Sequence, residues 1–331
     1  MKTGESMYSF HNKKVLFITT KNLDYLRNTQ EMELIEQEAK SLDIIGFKGK
    51  SYPKRLLKVY GKLLFRSVKS YDTVFIGFAP QLILPLFKFK MRKKEVVMDF
   101  FISVYDTMVN DRKKFKADSI AGKLCMWLDK KCIRRADYII SDTKAHGDYF
   151  SREFGVKREK IETLYLKADT SIYYEREQIK PEKLKDKFIV LYFGSVLPLQ
   201  GVEVIMQAME LLKKEKDIHF YFIGPVRDSI KKTQSDNIEY IHWLSQEDLA
   251  TYISYSDLCL AGHFNKDIMK AKRTIPGKAY IYEAMGKKMI LGDNSATREL
   301  YHEDELRYFV KMGDSKALAD KILEIKNSTA R

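Results

Sequence analysis

The sequence predicts an α/β fold of two doubly wound, Rossmann-like domains, and three observations carry that prediction. Short apolar runs of strand length alternate with amphipathic stretches through both halves of the chain. The alternation breaks near residues 168–187, where charged residues and Pro181 interrupt the periodicity. The length, 331 residues, suits two domains of about 100–200 residues each. This places an N-terminal domain at 1–175 and a C-terminal domain at 176–331.

In the first domain strands are predicted at 15–20, 42–47, 72–78, 95–100, 138–141 and 160–166. Most are apolar with little alternation, as strands covered on both faces of a parallel sheet should be. Helices are predicted between them at 30–41, 54–69, 80–91, 119–136 and 143–154, where apolar residues recur every three or four positions. The second domain repeats the pattern with strands at 188–194, 218–223, 238–243, 257–261, 289–292 and 306–310. Its helices are predicted at 202–216, 246–255, 277–286, 296–302 and 315–326. The longest apolar stretch, 77–87, is short and contains Pro80 and Pro85, so no transmembrane helix is expected. Residues 1–14 are polar and lack the apolar region of a signal peptide. Cys125, Cys132 and Cys259 form neither a Cys-x-x-Cys pair nor a metal-ligand spacing, which predicts reduced, core-packed thiols in a cytoplasmic protein.

The formal charge is +14, and its distribution says more than its sum: residues 44–94 hold thirteen Lys or Arg and one acid, Asp72. Within 54–69, helical spacing gathers Leu56, Leu57, Tyr60, Leu63, Leu64 and Val68 on one broad face. Lys54, Arg55, Lys58, Lys62, Arg66 and Lys69 lie largely opposite, and the run 87–94 adds aromatics among further cations. A solvated helix on its own sheet would explain the apolar face. Nucleic acid would be drawn by such charge, but no nucleic-acid-binding motif accompanies it. The favoured partner is an anionic membrane surface, where each cation contributes about 1 kcal/mol, or a lipid-diphosphate acceptor.

Two segments point to a phosphate-bearing ligand. Residues 274–293 read as a helix start followed by a buried strand: Pro276 and Gly277 open the helix, Lys278 adds charge to its positive end, and Glu283 is within plausible reach of vicinal ribose hydroxyls. Residues 188–194 are a strand-length apolar run, followed by a loop from Ser195 to Gln200 and by Gly201 at the start of a helix. Gly194 and Gly201 allow a ligand to approach the backbone closely.

With these segments in view, the chain resembles the GT-B glycosyltransferases, specifically retaining glycosyltransferase family 4. The resemblance is clearest over 95–303. Residues 192–208 resemble the donor-phosphate loop and its helix, 241–249 the base-binding turn, and 276–293 the signature helix and next strand; 99–112 resembles a segment of enzymes that build bacterial surface polysaccharides. It implies two domains facing across a cleft, transfer of a sugar from a nucleotide-diphosphate donor to a saccharide or lipid-linked acceptor, and work at the inner face of the plasma membrane. Departures accompany the matches. Ser195 and Gln200 stand where relatives carry phosphate-binding Arg and Lys, and Ile275 stands where they carry the first of two Glu, while Glu283 keeps the second. Lys278 and Arg273 are candidates to replace the missing cations.

The reaction asks for charge at the leaving diphosphate and little covalent chemistry from the protein. No Asp-x-Asp is available to hold Mg²⁺, so no metal or cofactor is expected. Asp99, near the carboxyl end of a predicted strand, and Asp106 after it are the candidates to orient the acceptor, with a capping role as the alternative for each. His263 lies near the donor helix and Trp243 near the base. Two other readings stay open: a nucleotide-sugar epimerase of the same fold, and a non-catalytic GT-B subunit that recruits a partner to the membrane.

Overall fold

The computed structural model describes residues 8–177, 179–228 and 230–329. They fall into two compact units, Met1–Leu166 and Lys167–Arg331. In the first, strands β1 (Lys14–Asn22), β2 (Ser41–Phe47), β3 (Thr73–Ile76), β4 (Glu95–Asp99), β5 (Tyr138–Ser141) and β6 (Ile161–Thr163) form one parallel sheet in the order β2-β1-β3-β4-β5-β6. Its helices are α1 (Leu26–Glu38), α2 (Tyr52–Phe65), the single turn α3 (Leu84–Phe87), α4 (Ile120–Arg135) and α5 (Lys144–Phe154). The sheet divides two apolar clusters: Leu16, Ile18, Val74, Ile76 and Met98 pack on one face, and Phe17, Phe75, Val97 and Ile140 on the other. This is the period-two burial of a sheet covered on both sides.

The second unit holds β7 (Phe188–Phe193), β8 (Ile218–Ile223), β9 (Ile238–Ile241), β10 (Leu258–Gly262), β11 (Met289–Gly292) and β12 (Arg307–Val310) in the order β12-β11-β10-β7-β8-β9, all parallel. The helices α6 (Val202–Leu212), α7 (Gln246–Ser254), α8 (Gly277–Ala284), the short α9 (Thr297–Leu300) and α10 (Ser315–Thr329) connect or follow them. This is the doubly wound order in which the winding reverses between the first and fourth strands of the unit, here β7 and β10. All twelve predicted strands are present. The predicted helix 80–91 is broken into a 3₁₀ turn, Pro80–Leu82, and α3, because Pro85 falls inside it and has no amide to donate to the preceding turn. Among the described residues no helix is long and apolar enough to cross a membrane. The three cysteines are free and buried.

Candidate active site

In an open α/β sheet the ligand edge lies beyond the carboxyl ends of the strands, at the point where the winding reverses. In the second unit that point lies between β7 and β10, and the loops leaving these strands are joined there. The Phe264 amide donates to the Gln200 carbonyl at 3.1 Å, and the Asn265 side-chain amide donates to the Pro198 carbonyl at 2.8 Å. Gly201 makes the approach possible: its φ is 68°, and a Cβ there would lie 2.5 Å from the Asn265 nitrogen. Gly194, at φ 140°, ends β7 under the tip of Lys278.

Lys278 is the central group. Pro276 caps α8, and Lys278 in the first turn points inward with 6% of its surface exposed. Its ammonium donates to Gln200 Oε1 at 2.6 Å and sits 4.2 Å from the centre of the Tyr192 ring. A Cβ on Gly194 would lie only 3.2 Å from Nζ. No carboxylate pairs with this ammonium among the described residues, and desolvation pushes its pKa down to about 7. A side chain from α8 therefore brings positive charge to the loop positions Gly194 and Gln200. Neither Tyr192 nor the Gln200 contact was foreseen. The signal available was a lone phenol inside an apolar strand run.

His263, just past β10, is buried, and burial together with the Lys278 charge pushes its pKa down to about 3. It is a neutral imidazole at the floor of this region, with no hydrogen-bond partner at Nδ1. Ser195 is exposed in the loop, Arg273 is half-buried before α8, and the Cα of Gly277 faces open space. Trp243, after β9, is largely exposed. Glu283 occupies the last turn of α8. Its oxygens accept from the Tyr301 hydroxyl at 3.2 Å and Arg307 Nη2 at 3.3 Å, so a ribose would have to share or displace those donors.

In the first unit Asp99 ends β4 and is buried, its two oxygens accepting from Arg27 Nη2 at 3.0 Å and Nε at 3.3 Å. Arg27 also lies 3.3 Å from the buried Glu31 and donates to the Leu164 carbonyl. Asp99 thus orients Arg27 and does not face solvent. Asp106 is likewise buried, opening a π-helical turn (Asp106–Asp111) in which Asn110 donates to it at 3.0 Å. The loop carrying it is clamped by Asp129 of α4, which accepts from Gln81, the Ser103 hydroxyl and the Val104 and Tyr105 amides. No sequence pattern marked Asp129.

The predicted cationic face of α2 is redistributed. Lys54, Lys58 and Lys62 are exposed, but Arg55 turns inward and donates to the Gly49 carbonyl, while Arg66 is engaged by Asp43 and Tyr71. The apolar face is divided too. Val59 and Leu63 are buried, whereas Leu57, Leu64 and the 92%-exposed Phe65 face outward beside Leu86 and Phe89. The Lys90 ammonium, which donates to the Leu63 and Leu64 carbonyls, ties the end of α2 to the 86–90 segment.

Comparison with known proteins bears directly on this arrangement. Residues 187–328 match the profile of the family described as Glycosyl transferases group 1. Over these residues the second unit is similar to that family. No curated protein matches the sequence. Among solved structures, sucrose-phosphate synthase from Thermosynechococcus elongatus superposes with a TM-score of 0.66 at 12% identity, covering 96% of this chain and 91% of that one. Anabaena HepE in complex with UDP-glucose gives 0.60 at 13%, covering 96% and 91%. The lipopolysaccharide outer core galactosyltransferase WaaB, in its apo form, gives 0.59 at 14%, covering 96% and 91%. At such identities the likeness shows the fold, which is that of the GT-B glycosyltransferases. Domain and fold together support a glycosyltransferase enzyme.

Proposed function

We propose that the chain moves a sugar from a nucleotide-diphosphate donor, bound by the second unit, to a saccharide or lipid-linked acceptor in cell-surface polysaccharide assembly, with retention and without metal. The observation that carries this reading is Lys278, a buried ammonium without a carboxylate, at a helix start and beside two glycine-containing loops. A diphosphate supplies the missing counter-charge, and the helix N-terminus supplies amides to it. As the bond from the anomeric carbon to the phosphate oxygen breaks, negative charge grows on the diphosphate, and Lys278 stabilises it. The acceptor oxygen forms the new bond, and its proton passes to the departing phosphate oxygen. UDP-glucose bound to HepE supports a uridine donor. A thermal-shift panel of UDP-, GDP- and dTDP-sugars tests this: a bound sugar nucleotide at about 100 times its dissociation constant stabilises by roughly 2.7 kcal/mol. No shift with any of the three would remove the donor assignment.

The same reading places the protein peripherally on the inner face of the plasma membrane. Its support is the outward-facing Leu57, Leu64, Phe65, Leu86 and Phe89 among the exposed Lys54, Lys58, Lys62 and Lys88. Changing those four lysines to Gln is expected to cut binding to anionic vesicles by up to about a thousand-fold at low salt, at about 1 kcal/mol per cation, and by less near 0.15 M. Co-sedimentation at two salt concentrations measures it. A wild-type chain that stays in the supernatant with anionic vesicles would defeat this placement.

A further inference from the structure

A second cationic surface in the first unit lies outside both the α2 patch and the donor loops. It is a concave pocket of about 340 Å³ formed by the outer face of α4, Ala117 and the loop carrying Tyr105. Lys123, Lys130, Lys131 and Arg134 line it together with Trp127 and Tyr105, and no carboxylate shares the lining. None of the four cations has an ion pair or a side-chain hydrogen bond among the described residues. This contrasts with Arg66 just past the end of α2, whose charge is met by Asp43. Trp127 is half exposed, with the Lys131 ammonium 5.6 Å from its ring centre. Asp129 on the same helix is buried and already accepts four hydrogen bonds, Glu153 and Asp106 act as charges that help burial raise the Tyr105 phenol, and Asp118, beside Ala117, does not line the cavity.

Four unpaired cations around a tryptophan describe a ligand with two parts. The cations require an anion of concentrated charge, and the half-exposed indole offers a flat apolar face to an uncharged ring or chain. The volume lies at the small end of the roughly 300–1,000 Å³ typical of small-ligand sites, which suits one phosphorylated sugar head. We infer that this pocket on α4 binds the phosphate or diphosphate of the sugar acceptor, with Trp127 packing on the uncharged part beside it. Naming the ligand an acceptor rests on the glycosyltransferase reading. The anion specificity does not.

Trp127 and Trp243 are the two tryptophans of the chain, so the full-length Trp243→Phe protein carries Trp127 as its sole reporter. Its emission is to be titrated with glucose 1-phosphate, with a glucosyl diphosphate on a short alkyl chain, and with the uncharged alkyl glucoside. Calorimetry on the wild-type chain runs in parallel. The phosphorylated probes are expected to bind saturably and the glucoside at least about tenfold more weakly, the cost of losing charge-assisted contacts. Replacing Lys123, Lys130, Lys131 and Arg134 together by Gln, at solvent-facing positions that leave the core intact, should weaken the phosphorylated probes about 100-fold. Equal binding of the two phosphorylated probes assigns the pocket to a soluble phosphorylated acceptor, and a preference for the alkyl-linked one to a lipid-linked acceptor. The inference is overturned if neither phosphorylated probe binds, if the uncharged glucoside binds as well, if the quadruple variant binds as the wild type does, or if UDP-glucose moves Trp127 emission as the phosphorylated probes do. Nucleotide-sugar binding measured by calorimetry on the same quadruple variant should be unchanged, so a failed donor assignment would show separately.

Discussion

Replacing Lys278 by Met is expected to weaken nucleotide-sugar binding about 10- to 100-fold while leaving the fold as stable as before or more so. The two effects part because the ammonium is buried with Gln200 Oε1 and a Tyr192 ring for company and no carboxylate. In the free protein its desolvation is poorly compensated, whereas Met keeps the apolar stem and loses the hydrogen bond to Gln200 and the charge over the Tyr192 ring. The pH dependence gives a second reading. Burial lowers the Lys278 pKa to about 7, while an unfolded lysine titrates near 10.4. Between those values the unfolded chain binds a proton that the folded one does not, so Lys278 makes stability rise with pH from about 7 upward. That slope should vanish in the Met variant. Donor binding runs the opposite way, because the diphosphate binds the charged ammonium. Wild-type affinity should be greatest below pH 7 and fall by up to about tenfold per unit above it, with a diester donor whose own charge is constant in that range. Calorimetry and denaturant unfolding at pH 6, 7.5 and 9 measure both. A folded Met variant with wild-type affinity would show that the phosphates lie elsewhere.

The strand positions of both units were legible because parallel strands buried on two faces are nearly continuously apolar, as Phe188–Phe193 is and as Ile218–Ile223 is apart from His219. The glycine turns were legible for a related reason: Gly194 and Gly201 occupy positive φ where the chain must turn tightly. Side-chain direction was not. Helical spacing alone gathered Leu57 and Leu64 on one apolar face with Leu63 and set Arg55 among the cations, whereas the fold splits that face and turns Arg55 inward, because a single helix on a sheet buries a stripe narrower than its apolar arc. Asp99 shows the same limit from the polar side. Its place at the end of β4 was correct, but its partner Arg27 is 72 residues away in sequence, and only the fold reveals that the carboxylate is fully used. Long-range polar pairings such as Lys278 with Gln200 leave no periodic trace in a sequence.

That buried pairing in the first unit leads to the largest expected effect on stability. Arg27 answers two buried carboxyls, Asp99 through two contacts and Glu31 through one. Removing one partner from such a cluster strands charge in a low-dielectric interior, so Arg27→Met should destabilise the unit by about 3–5 kcal/mol. The pH dependence follows from Glu31. Its carboxyl stands well above the usual range through burial first and then the Asp99 charge, and Arg27 is the group that pulls it down. Without Arg27 it rises further. The folded variant then holds a proton that an unfolded Glu, titrating near 4.3, releases, so its stability falls as pH climbs from that value toward the raised one. The deficit against wild type should therefore be smaller at pH 5 than at pH 8. Adding Asp99→Asn to Arg27→Met removes a stranded charge and should restore part of the loss, as coupled neighbours in one network do. Urea unfolding of the single and double variants at both pH values decides it. A single variant as stable as wild type at pH 8, or a double variant no better than the single, would mean that the sheet edge around Asp99 does not depend on this ion cluster.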